Sequence, residues 1–596
     1  MKKNIAKISG SGQVKWKGML SLAAFLLTRP GYGLLKKAIK KSLYKRGLIK
    51  KNTSEYKEWI KTALDLAVLK KEYDRDIHSL ALLPEISIIL SAADTNPVIL
   101  QAAINSIKAQ LYTKWQLYII CGKNDELQNN ERTTITRTER DNEADVLNAT
   151  IAKTGEYILF IKSDELLAPS CLFEFAKHIN IYPEDGLIYS DEDTIDKQGE
   201  YSAPHFKPGW APDNLLSGNY LGNVVLIKKE LIIRIGGVNA GYKDCYIYDL
   251  LLRVAEQDTG KGHIPKILHH KRNDELIKTG SGQCEQAILA ATLERRNTPG
   301  YVIPIKDAPG YYHIKYEVRA TDKVSVIIPT KDQASLLKAA IDSVIEKTDY
   351  PDYEIIILNN NSIDKEFYAL IKGYEKSYNG IIKCINAHFP FNYSKLMNLG
   401  AAVSTGAYLL MLNNDVTAIH SDWITQMVGY AQRKDTGAVG VKLLFPDNTI
   451  QHAGIVLGIN GDVGHVFNHM PDKYNGYFNY AQTTRNYSAV TGACMMCRKE
   501  VYNEVGGMDE QLAVEYNDLD LCLKFMQNGY YNVYLPSVTL YHHESATRGH
   551  PLRSKRSYKQ HKQDSTVFYN KWNETAGNDF FYNPNLDLED TTFRLK

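Results

Sequence analysis

The chain lacks four things that would each have fixed a function class. It has no apolar run long enough to cross a bilayer, no glycine-rich dinucleotide turn at its first strands, no regular cysteine framework, and no acid before residue 55. The apolar stretch Met19 to Leu27 (MLSLAAFLL) is about half the length of a spanning helix. No small-residue cleavage site follows it, so neither a membrane span nor a secretory signal is expected. Without a GxGxxG turn after a first strand, a nicotinamide enzyme of the Rossmann type is excluded. The eight cysteines include one CxxC pair, Cys494 and Cys497 in the apolar run ACMMC, and no second pair to complete a zinc site. They read as buried thiols on a core strand, in keeping with a reducing cytoplasm. A net charge of only +3 speaks against a nucleic-acid partner.

The missing acids carry their own message. Lysines and arginines are dense through the same opening segment, as in KKAIKKSLYKR at 36–46. A basic, acid-free stretch with one apolar patch reads as an anchor on an anionic membrane surface; the plainer reading is a solvated tail. The remainder has ordinary globular composition, 44% hydrophobic and 23% charged, and 596 residues exceed what one core holds.

What is present is a duplication. EISIILSAAD from Glu85 and KVSVIIPTKD from Lys323 are apolar β runs ending at polar turns, each followed by a helix and a second strand, WQLYII (115–120) and YEIIIL (353–358). Thr154-Gly155-Glu156-Tyr157 and Thr405-Gly406-Ala407-Tyr408 then open a third pair of strands, ending in Lys162-Ser163-Asp164 and Asn413-Asn414-Asp415. Paired Gly-Gly turns, acid-bearing helices and a closing His-His doublet follow (His269-His270, His542-His543). Strands alternating with helices predict α/β architecture: two tandem Rossmann-like domains, each with a mainly parallel sheet. The expected division is a basic helical extension at 1–83, a first domain at 84–275, a linker at 276–322, a second domain at 323–549 and a C-terminal extension at 550–596.

Open α/β sheets bind ligands beyond the carboxyl ends of their strands. Thr330 and Asp332 after one strand, and Asn359, Asn360 and Asn361 after the next, are therefore placed to hold a nucleotide. Asn413, Asn414 and Asp415 end the third strand. An isolated NND is more often a turn cap, but at a strand end Asp415, with Asn413, suits a magnesium or manganese ion held against a diphosphate. Asn517 or Asp518 could simply cap the helix that follows. The cluster Glu515, Asp518, Asp520 exceeds what capping needs, so Asp518 is assigned as general base and Asp520 as the carboxylate behind it or on the acceptor. His542, which the copy-to-copy match pairs with His270, is preferred over His543 as an added ligand to metal or phosphate.

The second half resembles the family 2 glycosyltransferases of the glycosyltransferase-A fold, in particular the bacterial O-antigen and rhamnan-type group. The strings that carry the resemblance are SVIIPTKD, NNNSID, FNYSKLMNLGAAVSTGAYLLMLNND, KLLFPDNTIQHAGIVLG, GHVF, YSAVTGACMMCRKEV, GGMDEQLAVEYNDLDLCLK and YHHESATRG, nearly continuous from 323 to 549. The first half is similar through YSDEDTID, PHFKPGWAPDNLLSGNYLGNVV and HIPKILHHKR. The resemblance implies a nucleoside-diphosphate-sugar donor, a divalent metal (Mn or Mg) at a DxD-type motif, an inverting displacement, and a glycan or lipid-linked glycan acceptor. It places Asn413 and Asp415 at the DxD positions, Asp518 at the base and His542 at the late histidine. Asn359 and Asn413 replace acids common in the family, which leaves the metal resting on Asp415.

The first half departs further. Lys162 stands at a metal-ligand position and Ile247 at the base position, while Asp164, Asp249 and His270 survive. An ammonium repels a cation, and loss of a base removes about 10² to 10⁴ in rate. The expectation is a degenerate first copy beside a catalytic second one, working at the inner face of the plasma membrane. The rivals are a bifunctional transferase and a non-catalytic glycan-binding protein.

Overall fold

The computed structural model describes residues 53–92, 95–122, 127–138, 143–273, 283–319, 322–543 and 555–596. The basic segment 1–52 lies outside them, so the surface-anchor expectation falls outside the described residues. Two compact units result, Met1–Ala63 and Leu64–Lys596. Of the first, the helix Thr53–Ala63 is described.

The second unit holds two large sheets built to one plan. The first uses β1 (Ile86–Ala92), β2 (Trp115–Cys121), β3 (Thr133–Arg137), β4 (Tyr157–Lys162), β5 (Glu165–Leu167), β6 (Asp185–Ile195), β7 (Tyr201–His205), β8 (Val225–Lys228) and β9 (Gly260–Arg272). A hairpin, β10 (Gly300–Pro304) with β11 (Tyr312–Tyr316), follows. The second sheet begins with β12 (Val324–Thr330), β13 (Tyr353–Asn359), β14 (Ile382–Asn386), β15 (Tyr408–Leu412), β16 (Val416–Ala418), β17 (Thr436–Leu444) and β18 (Ile450–His452). A separate ribbon of β19 (Ile455–Leu457) and β20 (Val463–His465) precedes the last three strands, β21 (Arg485–Asn486), β22 (Cys494–Arg498) and β23 (Tyr531–His542). The order β3-β2-β1-β4-β8-β6-β9-β5 is matched strand for strand by β14-β13-β12-β15-β22-β17-β23-β16.

Both sheets are rich in parallel pairs, as expected, and also carry antiparallel strands. β1 to β4 and β12 to β15 pair in parallel, whereas β8 and β22 run antiparallel to their neighbours. The parallel strands are buried on both faces, which explains their continuous apolar runs. Small polar devices recur in both copies. Ser87 and Ser325 each accept the amide of the turn glycine, Gly155 or Gly406, at 2.9 Å. Gly237 and Gly507, both at positive φ, seat against Asn148 and Asn398, where a Cβ would come within 2.3 and 2.7 Å of the amide oxygen. Only glycine fits that turn.

One apolar core spans both copies, joining Tyr189, Leu215 and Tyr248 to Tyr316, Val428 and Tyr430. Across the seam the nearly buried Arg433 donates to both oxygens of the buried Asp213, at 2.6 and 3.0 Å, and Asn486 adds 2.7 Å to the same carboxylate. The stretch expected to be a linker is folded into this unit, as helix Gln283–Arg295 and the β10–β11 hairpin. Polar surface residues made it read as a connection, but Leu289, Leu293, Tyr312 and Ile314 are buried. The C-terminal extension is equally engaged: Asn583 bonds to Asp191 of the first copy, while Asp579 accepts from Leu457 and Ser488 of the second.

Cys494 and Cys497 lie buried on β22, with thiols pushed up by burial, Cys497 to about 12. Cys245 and Cys284 are joined in a disulfide with Cα atoms 6.4 Å apart, a pairing 39 residues distant that no spacing signal announced.

Candidate active site

β12 is flanked by β13 on one side and β15 on the other, so chain order reverses there, the point at which such sheets open a crevice. A cavity of about 350 Å³ lies there, lined by Pro329, Thr330, Lys331, Asp332, Gln333, Asn360, Phe391, Leu396 and Asn414. Four of the expected donor-binding residues therefore meet: Thr330, Asp332, Asn360 and Asn414. Lys331, Gln333, Phe391 and Leu396 were not selected from sequence, although all but Gln333 sit inside strings quoted for the resemblance.

The polar loops brace one another before any ligand arrives. Asp332 Oδ1 accepts the amides of Ile363 and Asp364 at 2.7 and 2.9 Å, and its own amide donates to Ser362. Asp332 and Gln333 both sit at φ 55°, a left-handed pair that turns the chain sharply into the helix Ala334–Lys347. Asn359 bonds to Asn386 and to the amide of Ser362, while Asn360 and Asn361 donate to Phe389. Asn359 and Asn361 therefore shape the rim without lining the cavity. Asn414 reaches Thr330 at 3.1 Å, closing the crevice between β12 and β15.

Asp415 follows on the turn into β16, which pairs with β23 and sets Val416 opposite His542. That register brings His542 Nε2 to 3.3 Å from Asp415 Oδ1, both side chains being 7% exposed. His543 bonds Asp415 only through its backbone amide, so the preference for His542 stands on side-chain geometry. Beside them His452 and His465 face each other through their Nδ1 atoms at 2.9 Å. Burial, then the nearby imidazoles, pushes both pKa values down, that of His465 to about 4. Sequence reading quoted both histidines in QHAG and GHVF and gave them no role.

Asp518 sits in the first turn of the helix Asn517–Gln527, after Tyr516 in the left-handed region at φ 60°. Its Oδ2 accepts the amide of Gly492 at 2.8 Å and its Oδ1 that of Leu519 at 3.0 Å. Burial raises its pKa, partly offset by those hydrogen bonds. Asn413 in turn donates its amide to Ala493, the residue after Gly492. The third-strand loop and the Asp518 helix are thus fastened to adjacent peptides. Glu515 pairs with His561 at 2.5 Å.

Asp520 is not placed to meet an acceptor. It is fully buried, taking Lys571 at 2.6 Å and Trp572 at 2.9 Å on one oxygen and Lys524 at 3.1 Å on the other. Lys524 also donates to the carbonyl of Gly507. Asp249 of the first copy does the same work, with Arg253 at 2.8 Å and that arginine on the carbonyl of Gly237. An acid present in both copies, at the same helix position and with the same i+4 cation, fastens a helix to its Gly-Gly turn.

The same comparison fixes the counterparts in the first copy. Tyr157 and Tyr408 hold equivalent places opposite Ile86 and Val324, so Lys162 answers Asn413 and Asp164 answers Asp415. Ile247, buried two residues before Asp249, answers Asp518. The pairing of His270 with His542 is corrected. Glu165 faces Lys271 where Val416 faces His542, and Arg272 donates to Asp164 where His543 donates to Asp415. Lys271 therefore answers His542, and His270 points to the other face, bonded to Asp193 at 2.6 Å. A one-residue slip reverses the face of every side chain on a strand. The first copy thus carries lysines at two of the three positions, and both act on the half-buried Glu285, whose pKa burial raises. Ser163 bonds to Thr95 at 2.8 Å across the mouth of that crevice.

Comparison with known proteins agrees with this layout. Residues 325–506 match the family model described as Glycosyl transferase family 2. The chain is 33% identical over 86% of its length to the uncharacterized protein y4gI of Sinorhizobium fredii, covering 58% of that protein. It is 33% identical, again over 86% of its length, to the O-antigen biosynthesis protein RfbC of Myxococcus xanthus, covering 41% of it. The chain thus spans about half the length of these two relatives. A shorter match, 32% over 60 residues (10% of this chain, 20% of the relative), is to the N-acetylglucosaminyl-diphospho-decaprenol L-rhamnosyltransferase of Mycobacterium tuberculosis. Among solved structures, GalNAc-T7 with UDP, GalNAc and Mn2+ aligns at TM-score 0.36 and 17% identity over 45% of this chain and 51% of that one, too distant to bear on fold or ligand. The matched stretch lies in the half that keeps its acids, so residues 325–506 carry the likeness to glycosyl transferase family 2.

Proposed function

We propose that the chain transfers a sugar from a nucleoside-diphosphate-sugar to a bacterial surface-polysaccharide acceptor of the O-antigen kind, with inversion, and that the C-terminal half does the chemistry. The observation that carries this reading is the fastening of the Asn413–Asp415 loop and of Asp518 to the consecutive peptides Gly492 and Ala493, beside a cavity at the switch point. The diphosphate end of a donor seated there lies toward Asn414 and Asp415. The acceptor hydroxyl approaches from the side of Asp518. Its oxygen attacks the anomeric carbon, the bond from that carbon to the diphosphate oxygen breaks, and Asp518 takes the hydroxyl proton.

A divalent ion, Mn or Mg, fits Asp415 and His542. Their donor atoms stand 3.3 Å apart, close to the roughly 3 Å between adjacent ligands of an octahedral ion bound at 2.1 Å. Among the described residues no group of three or more His, Cys, Asp or Glu is placed to hold a metal, so such an ion would draw its other ligands from substrate phosphates and water. Asp415 and His542 would hold it, and when bound it would supply charge neutralisation to the departing diphosphate. The N-terminal half, with Lys162, Lys271 and Ile247 at the corresponding positions, acts as a degenerate structural partner. The acceptor is glycan or lipid-linked glycan, and the acid-free basic opening segment supports work at the inner face of the plasma membrane. No helix among the described residues is long and apolar enough to cross a membrane.

A panel of UDP-, GDP- and dTDP-sugars, scored by released nucleotide with and without manganese and with acceptor present, tests the proposal. One donor should turn over, metal should be required, and Asp518→Asn should lower kcat by about 10² to 10⁴-fold. Undiminished turnover by Asp415→Ala would overturn the assignment of halves.

A further inference from the structure

The family match ends at residue 506, before the segment that carries Asp518. Beyond the last strand of the second sheet the helix Lys555–Ala576 returns to that segment and binds it at every level. Asp564 on this helix is fully buried and accepts the three successive amides of Ala513, Val514 and Glu515 at 3.3, 2.9 and 3.0 Å. Gln560, one turn earlier, donates to it at 2.9 Å. Three amides converging on one carboxylate fix the peptide planes that lead directly into Tyr516.

Tyr516 is itself held in a conformation that a bulky residue rarely adopts, φ 60°. Its ring stacks on Phe568 at 5.0 Å, and its hydroxyl donates to Asp462, which also receives Tyr569 at 2.8 Å. Lys571 and Trp572 then take Asp520, two residues beyond Asp518. A strained residue persists only where its surroundings over-determine it, and here one helix supplies most of those surroundings.

We infer that Asp564 is a positioning residue for the base: by capping the 513–515 peptides it sets Tyr516 and the helix start from which Asp518 faces the acceptor. The inference rests on the reading of Asp518 as base. Asp564 touches neither donor nor acceptor, so its loss spares donor binding and misplaces the base. Misplacement by about 1 Å costs on the order of 10²-fold in rate.

The test measures kcat, donor KM and thermal midpoint for Asp564→Ala, Asp564→Asn and Asn583→Ala. The last removes a contact to Asp191 and Lys207 in the other half and serves as a control for lost stability. Expected is a fall in kcat of about 10- to 100-fold for Asp564→Ala with donor KM within about twofold, and an intermediate fall for Asp564→Asn, which keeps one acceptor oxygen. A kcat that tracks the thermal midpoint equally in the Asp564 variants and in Asn583→Ala would overturn the inference, as would a raised donor KM with kcat unchanged. Full transfer by Asp518→Asn would instead overturn the base assignment, a result that no Asp564 variant can imitate.

Discussion

The two halves share strand order, Gly-Gly turns, the Asn148 and Asn398 brackets and the buried acid–cation pairs Asp249–Arg253 and Asp520–Lys524. They differ where the sheet opens. The second offers Asn360 and Asn414 lining a cavity, with Asp415, His542 and Asp518 on the neighbouring segments; the first offers Lys162, Lys271 and Ile247 at the corresponding positions. Features common to both halves maintain the fold, and features confined to one are the candidates for chemistry. That separation removes Asp520 from the catalytic set and retains Asp518, a distinction that an acid-rich motif alone cannot make.

The largest expected break in the comparison is Asp518→Asn, which should lower kcat by about 10² to 10⁴-fold with donor KM unchanged. Asp164→Ala in the first half should leave the rate within about twofold in the same nucleotide-release measurement, because Lys162 and Lys271 already exclude a cation there. Next comes the seam. Asp213→Ala leaves the nearly buried Arg433 uncompensated and should cost about 3–5 kcal/mol in denaturant unfolding. Both halves should then lose stability together, since the core is continuous between them.

A pH series sharpens the role of Asp518. Burial raises its pKa, and a base works only when deprotonated, so activity should fall on the acid side at a pH above the ordinary aspartate range of about 4. An acid limb below pH 4, or one unchanged in Asp518→Asn, would remove it from the proton transfer. The smallest effect is expected from the double variant Lys162→Asn, Lys271→His, which rebuilds the metal-facing positions in the first half. Manganese binding there, read by electron paramagnetic resonance, should gain a weak second site. Transfer should gain nothing, because Ile247 supplies no base.

The sequence made the strand ends legible, because buried parallel strands are unbroken apolar runs and their polar tips stand out: Thr330, Asp332, Asn414 and Asp415 were readable on that ground. Register was not. The doublets His269-His270 and His542-His543 align naturally as text, yet β5 and β16 set Lys271, and not His270, against the turn that answers Asp415. Nor could sequence show that Asp332 gives one oxygen to the amides of residues 363 and 364, or that Asp213 meets Arg433 across 220 positions. Asp520 carried a usable signal that went unread. Its counterpart Asp249 is kept in a copy with Ile247 in place of Asp518, as a residue that maintains the fold would be.

The continuous core also bears on how such a protein can change over time. Once the interior of one copy is roofed by the other, deletion of the first copy would uncover apolar surface around Tyr316 and Tyr430 and strand the guanidinium of Arg433. The first copy can change at its strand ends and is not free to leave. A duplicate can therefore become permanent without ever acquiring a new task, simply by becoming part of its neighbour's inside.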